Sequence, residues 1–167
     1  AKPLVSPNPS KAPWYFMGFQ ELLMHMHPAF ASFLIPLLVI EFFIIVPFLP
    51  YRSINKGVWF YSENGKRISL ISAIATVGFT LFLILVDDLL LDFNHWFPGT
   101  PVLITEGVFP VLMYFVPVGG FLYYLRKKLK ADRMELVLAS GTIILVAYLV
   151  MTLVGSLLRG EGMQLIF

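Results

Sequence analysis

Apolar and polar positions along this chain separate into long blocks. Four apolar blocks, at about 29–50, 68–86, 107–125 and 136–158, each hold roughly twenty residues, the length a helix needs to cross the hydrocarbon core of a bilayer. The last three contain no charged residue, and the first contains only Glu41. Backbone groups in lipid must be satisfied within their own segment, so such blocks predict spanning helices. The stretch before them has a different rhythm. Trp14, Gly18, Glu21 and His25 recur at i, i+4, i+7 and i+11, which is one face of a helix. Pro3, Pro7, Pro9 and Pro13 exclude a continuous helix before Trp14, and Pro28 closes the periodic segment ahead of the first block. The expectation is an all-α integral membrane protein. An outer-surface loop and interfacial amphipathic helix fill 1–28, and a four-helix transmembrane domain fills 29–167.

Composition agrees with lipid as the solvent. Of 167 residues, 58% are hydrophobic and 13% charged, against about 25% charged in a soluble domain. The absence of cysteine excludes disulfides, thiolate zinc sites and iron–sulfur clusters built from this chain. A net charge of +2 points to no nucleic acid. The first block does not read as a cleaved signal sequence, because 28 mostly polar or amphipathic residues precede it. Nine basic residues fall in the loops after the first and third blocks (Arg52, Lys56, Lys66, Arg67; Arg126, Lys127, Lys128, Lys130, Arg133), and three (Lys2, Lys11, Arg159) fall on the other side. Positive loops stay in the cytoplasm. Both termini are therefore expected on the outer side of a bacterial cytoplasmic membrane or its equivalent.

The stretch PNPSKAPWYFMGFQELLMHMHP, followed by a span ending VPFLPY, resembles the C-terminal domain of cytochrome b, including its free-standing, subunit-four-like versions. The resemblance covers about 1–50 well. From 51 to 86 only the pattern of basic loop and following helix agrees, and beyond that only the closing Leu158-Arg159-Gly160-Glu161-Gly162-Met163 resembles the tail of some split bacterial relatives. In that family a Pro-Glu-Trp-Tyr-Phe motif before a spanning helix lines the site where quinol is oxidised. The matching residues are Ala12, Pro13, Trp14, Tyr15 and Phe16, so the resemblance implies quinol binding at Pro13, Trp14, Tyr15 and Phe16. It also implies the subunit of a quinol:cytochrome c (or similar acceptor) oxidoreductase that is not catalytic alone. Electrons would pass to an iron–sulfur or cytochrome c acceptor subunit and to low-potential haem b, held by a partner di-haem subunit that supplies the N-terminal half of cytochrome b. The three first spans would match the last three of a complete cytochrome b, with 136–158 an addition.

The motif's glutamate aligns with Pro13, which accepts no proton. Quinol releases two protons as it gives up two electrons, so a base must lie within hydrogen-bond reach. Glu21, two turns after Trp14 on the same expected face, is the nearest carboxylate in sequence, and His25, whose ordinary pKa suits a relay, follows one turn later. Both are expected to be catalytic.

The remaining polar residues weigh less. His25 and His27, two apart on a helix, point about 200° from each other and cannot share an ion there. With His95 the only other histidine, no metal or haem iron is expected on this chain. Glu41 is costly in mid-membrane and reads as a proton path, a cofactor contact or a bond to a neighbouring helix. Asp87, Asp88, Asp92 and Glu106 read first as a solvated outer loop, and second as a proton exit or a docking patch for a basic carrier. Trp96 reads as an interface anchor, and the cluster 126–130 as a lipid-facing basic loop. Prolines 36, 47, 110 and 117 permit kinks. Two other function classes stand beside the enzyme-subunit reading. One is a non-catalytic anchor or scaffold of another quinone-linked oxidoreductase, and the other is a small transporter component, against which no internal repeat is visible.

Overall fold

The computed structural model describes residues 10–49, 62–90, 96–160 and 163–165. Expectations for Arg52, Lys56, Asp92 and His95 lie outside those residues. A 3-10 turn, Trp14–Phe16, leads into α1, Met17–His25. Four helices long and apolar enough to cross a membrane follow: α2, Phe30–Phe48; α3, Glu63–Leu90; α4, Leu103–Lys128; and α5, Arg133–Leu158. The fold is that of an all-α membrane protein, with no strand among the described residues beyond an isolated bridge between Arg159 and Leu165.

The apolar blocks understate both ends of α3 and α4 and the start of α5, while the first block slightly overruns α2. α3 starts five residues before its block and runs past Val86 to take in Asp87 and Asp88. Helical hydrogen bonding continues through polar residues wherever side chains find partners, so apolar runs alone miss the last turn.

Helix α3 packs against α5, and α1 lies across the end of α5. One face of α3 carries Ser69, Ser72, Thr76 and Thr80, and one face of α5 carries Ala139, Thr142, Ile143 and Ala147, all buried. Such small side chains let helices in lipid approach closely. About a third of the apolar windows of α3 and α5 is buried, against 6% for α2 and α4, so the first pair is the core and the second pair is peripheral.

The two ends are fastened differently. At the α4–α5 turn, Asp132 and Glu135 form a capping box. The Glu135 carboxylate, buried, also accepts from Ser62 Oγ and Asn64 Nδ2, each at 2.8 Å, so one side chain completes the box and ties α5 to the start of α3. Beside it Ile68, Leu125, Ala131 and Ala139 form a small apolar core. At the α1 end, the α1–α2 link is held by the backbone of His27, which donates to the Glu106 carbonyl at 2.6 Å.

Three π-helical turns, Phe30–Leu34, Leu103–Val108 and Val154–Leu158, all lie at this α1 end. The first two directly precede helical segments that contain Pro36 and Pro110. A proline lacks the N–H for an α-type bond and its ring crowds the carbonyl four residues back, and a wider turn relieves both. Pro47 falls in a closing 3-10 turn, whereas α4 continues through Pro117. The third π turn passes beneath α1 at Gly155, where a Cβ would lie 2.5 Å from Met17 Cγ.

Candidate functional site

Helix α1 is drawn onto the bundle by its small and charged face. Gly18 permits the approach, because a Cβ there would lie 2.5 Å from Thr152 Oγ1 and 2.9 Å from the Tyr148 carbonyl. Tyr148 Oη donates to the Tyr15 carbonyl at 2.8 Å, and Gln20 bonds Ser10 and Ala12 of the preceding strap. One turn further on, Glu21 is wholly buried, with no solvent-accessible surface.

Five ionisable groups from three parts of the chain converge there. Arg159, just beyond α5 and 2% exposed, brings Nε to 3.0 and 3.1 Å from the two Glu21 oxygens and Nη2 to 2.5 Å from Oε1. Nη2 also lies 2.8 Å from Asp88 Oδ2, and Nη1 donates to the Met163 carbonyl at 3.0 Å. His25 Nε2 lies 3.1 Å from Glu21 Oε1, and its Nδ1 lies 2.5 Å from Asp87 Oδ2. The result is a chain of contacts, Asp87–His25–Glu21–Arg159–Asp88. Asp87 and Asp88 occupy the last turn of α3, where the helix dipole disfavours acids, and the two cations offset that.

The electrostatics follow from the contacts. Burial alone would push the Glu21 pKa up. The hydrogen bond from His25 and the bonds and charge of Arg159 outweigh it and hold the carboxylate below its ordinary range. Burial likewise pulls His25 down, but Asp87 and then Glu21 overcome it and push its pKa up to about 9. The raised pKa favours an imidazolium at neutral pH, with Nδ1 facing Asp87 and Nε2 facing Glu21 and, at 3.3 Å, Arg159 Nη2. Two cations then face three carboxylates.

The His25–Asp87 edge borders a cavity of about 750 Å³, within the range for drug-sized ligands. Its walls come from all five helices, with Phe19 and Leu22 from α1, Val39 and Phe42 from α2, Ile84 from α3, Tyr114 and Val118 from α4, and Ile144 and Tyr148 from α5. Thr80 also lines it, buried, with a hydroxyl that has no hydrogen-bond partner among the described residues. The space therefore suits an apolar body with a polar head at the α1 end. Among the described residues no group of three His, Cys, Asp or Glu side chains is arranged to hold a metal ion.

The expected site residues separate. Glu21 and His25 are brought together as the helical spacing predicts. Trp14 does not share their face, because it belongs to the 3-10 turn and is 74% exposed. Pro13, Tyr15 and Phe16 are exposed too, and none of the four lines the cavity. His27 lies beyond α1, its ring edge-on to Phe30 at 6.5 Å. Sequence reasoning passed over Arg159 and set Asp87 and Asp88 aside as solvated. The signal was a single arginine directly after an apolar run, on the side otherwise rich in acids. Compared with protein-family models, curated proteins and solved structures, the chain matches none.

Proposed function

We propose that this chain is the quinol-binding subunit of a cytochrome bc-type quinol:cytochrome c (or similar acceptor) oxidoreductase, with the α1 end outside the membrane. The observation that carries the reading is the apolar cavity bounded at one end by the hydrogen-bonded His25–Asp87 pair. A quinol ring at that end would give a proton to the Asp87 carboxylate, and the apolar walls would take its tail. His25, already protonated, cannot be the first acceptor. It orients Asp87 and supplies the neighbouring positive charge. Glu21, bound by Arg159, holds His25 in place and adds to the effect of Asp87 in keeping it charged, so Glu21 and His25 both serve the reaction from behind Asp87. The quinol loses two electrons and two protons. One electron goes to a high-potential iron–sulfur or cytochrome c subunit and the other to low-potential haem b in a di-haem partner, while the protons leave past Asp88 and the outer loop. Pro13, Trp14, Tyr15 and Phe16, exposed beside the α1 end, would meet these partners and close the site from their side.

One observation favours a second reading. The exposed aromatic turn lies off the cavity, as it would in a scaffold subunit whose Trp14 and Tyr15 only anchor at the lipid interface. Purifying the native complex in mild detergent and recording a reduced-minus-oxidised spectrum separates the two. The proposal requires a b-type haem signal with a di-haem membrane partner, reduced on adding quinol. A complex without b-type haem would leave the scaffold reading.

A further inference from the structure

Glu41 has no role in the site above. It lies about 16 Å along α2 from Phe30 and about 10 Å from Phe48, near the middle of the span. Its side chain is exposed, and no hydrogen bond or ion pair reaches it among the described residues. The cavity is lined from α2 by Ile35, Pro36, Leu38, Val39, Phe42 and Phe43, with Glu41 not among them, and Glu41 is turned about 200° from Val39. It therefore points away from the rest of the chain. Leu37, Glu41 and Ile44 recur at i, i+4 and i+7 within the α-helical part of this span and share one exposed stripe, with Leu37 46% and Ile44 60% accessible.

A carboxylate exposed to lipid at this depth is strongly disfavoured, and intramembrane acids are found paired or facing water. The cavity offers Glu41 no partner, because Glu41 is not among the residues that line it. A lone acid in an apolar stripe is complementary to one donor in an otherwise apolar surface. We propose that this stripe docks against a spanning helix of another subunit that carries a lysine or arginine at the depth of Glu41. The ion pair would fix the depth and rotation of the two helices, and Leu37 and Ile44 would provide the packing. The cation requires a different polypeptide. In a second copy of this chain the same stripe would present another acid. The proposal does not depend on quinol chemistry, because it concerns assembly alone.

The test uses the native complex in its own membrane, with a photo-crosslinking residue at Leu37 or Ile44 and, as control, at Val39. Adducts from Leu37 and Ile44 are expected to map by mass spectrometry to one spanning segment of another subunit containing Lys or Arg, with none from Val39. Glu41→Leu should lower recovery of that subunit about tenfold. Glu41→Gln should lower it less, and Glu41→Lys combined with the partner's cation changed to Glu should restore it. An adduct at twice the mass of this chain would overturn the proposal. So would a mapped segment without a cation, or unchanged recovery with Glu41→Leu. Equal losses from Arg52→Gln or Lys56→Gln, without effect of the partner's cation, would place the pairing inside this chain and also overturn it. Intact assembly with no quinol turnover would instead count against the proposed function alone.

Discussion

Glu21 and Arg159, 138 positions apart, form a buried ion pair that joins the first helix to the end of the last. Desolvating both groups is expensive, and the pair is tolerated because Glu21 also meets His25 and Arg159 also reaches Asp88 and the Met163 carbonyl. Removing one partner strands the other. Arg159→Met is expected to cost about 3–5 kcal/mol, and Glu21→Leu in the same chain should recover much of it. Unfolding of the detergent-solubilised protein measures both, and two simply additive losses would contradict the pairing.

Stability should depend on pH through His25. Its folded pKa of about 9 lies above the ordinary 6.5, so the folded state binds more protons between these values and stability falls as pH rises. The contribution is complete below about pH 6.5 and disappears as pH passes through about 9. Melting curves of the wild type and His25→Gln should therefore differ most at low pH and converge near pH 10. A constant gap across that range would count against the imidazolium.

Gly18 sets how closely α1 lies on α5. Thr152 Oγ1, which a Cβ would meet, is itself bonded to the Tyr148 carbonyl at 2.8 Å, so it cannot swing clear cheaply. Gly18→Ala should cost about 1–3 kcal/mol and lower quinol turnover by moving His25. Unchanged turnover would mean that the position of α1 is unimportant.

The opposite end provides the control. Glu135→Ala removes the half of the capping box that accepts from the Asp132 N–H, leaves the Asp132 side-chain cap on the backbone N–H of residue 135 in place, and takes the carboxylate acceptor from Ser62 and Asn64, an expected loss of about 1–3 kcal/mol. Hydrogen exchange should rise at the starts of α3 and α5 while quinol turnover per folded molecule stays near wild type. A selective loss of turnover would show that the two ends are coupled.

The membrane class and the spans were legible because lipid imposes a rule that twenty apolar residues satisfy almost by themselves. The pairing of Glu21 with His25 was legible for a similar reason, since i, i+4 spacing needs no tertiary information. Trp14 misled because the same spacing was extended into a turn that winds differently. Arg159, Asp87 and Asp88 were hidden for another reason. Their significance comes from where α1, α3 and α5 end relative to each other, and apolar periodicity does not say which ends meet. The cavity was equally invisible, because it depends on α2 and α4 standing at the edge of the α3–α5 pair.

The most direct measurement is the rate at which added quinol reduces b-type haem in the purified native complex, wild type against Asp87→Asn. The variant keeps the shape of the carboxylate but neither its basicity nor the negative charge that, with Glu21, holds the His25 pKa up. The account predicts an unchanged haem spectrum and subunit composition with reduction slowed about a hundredfold or more. Haem reduction at the wild-type rate in Asp87→Asn would contradict it.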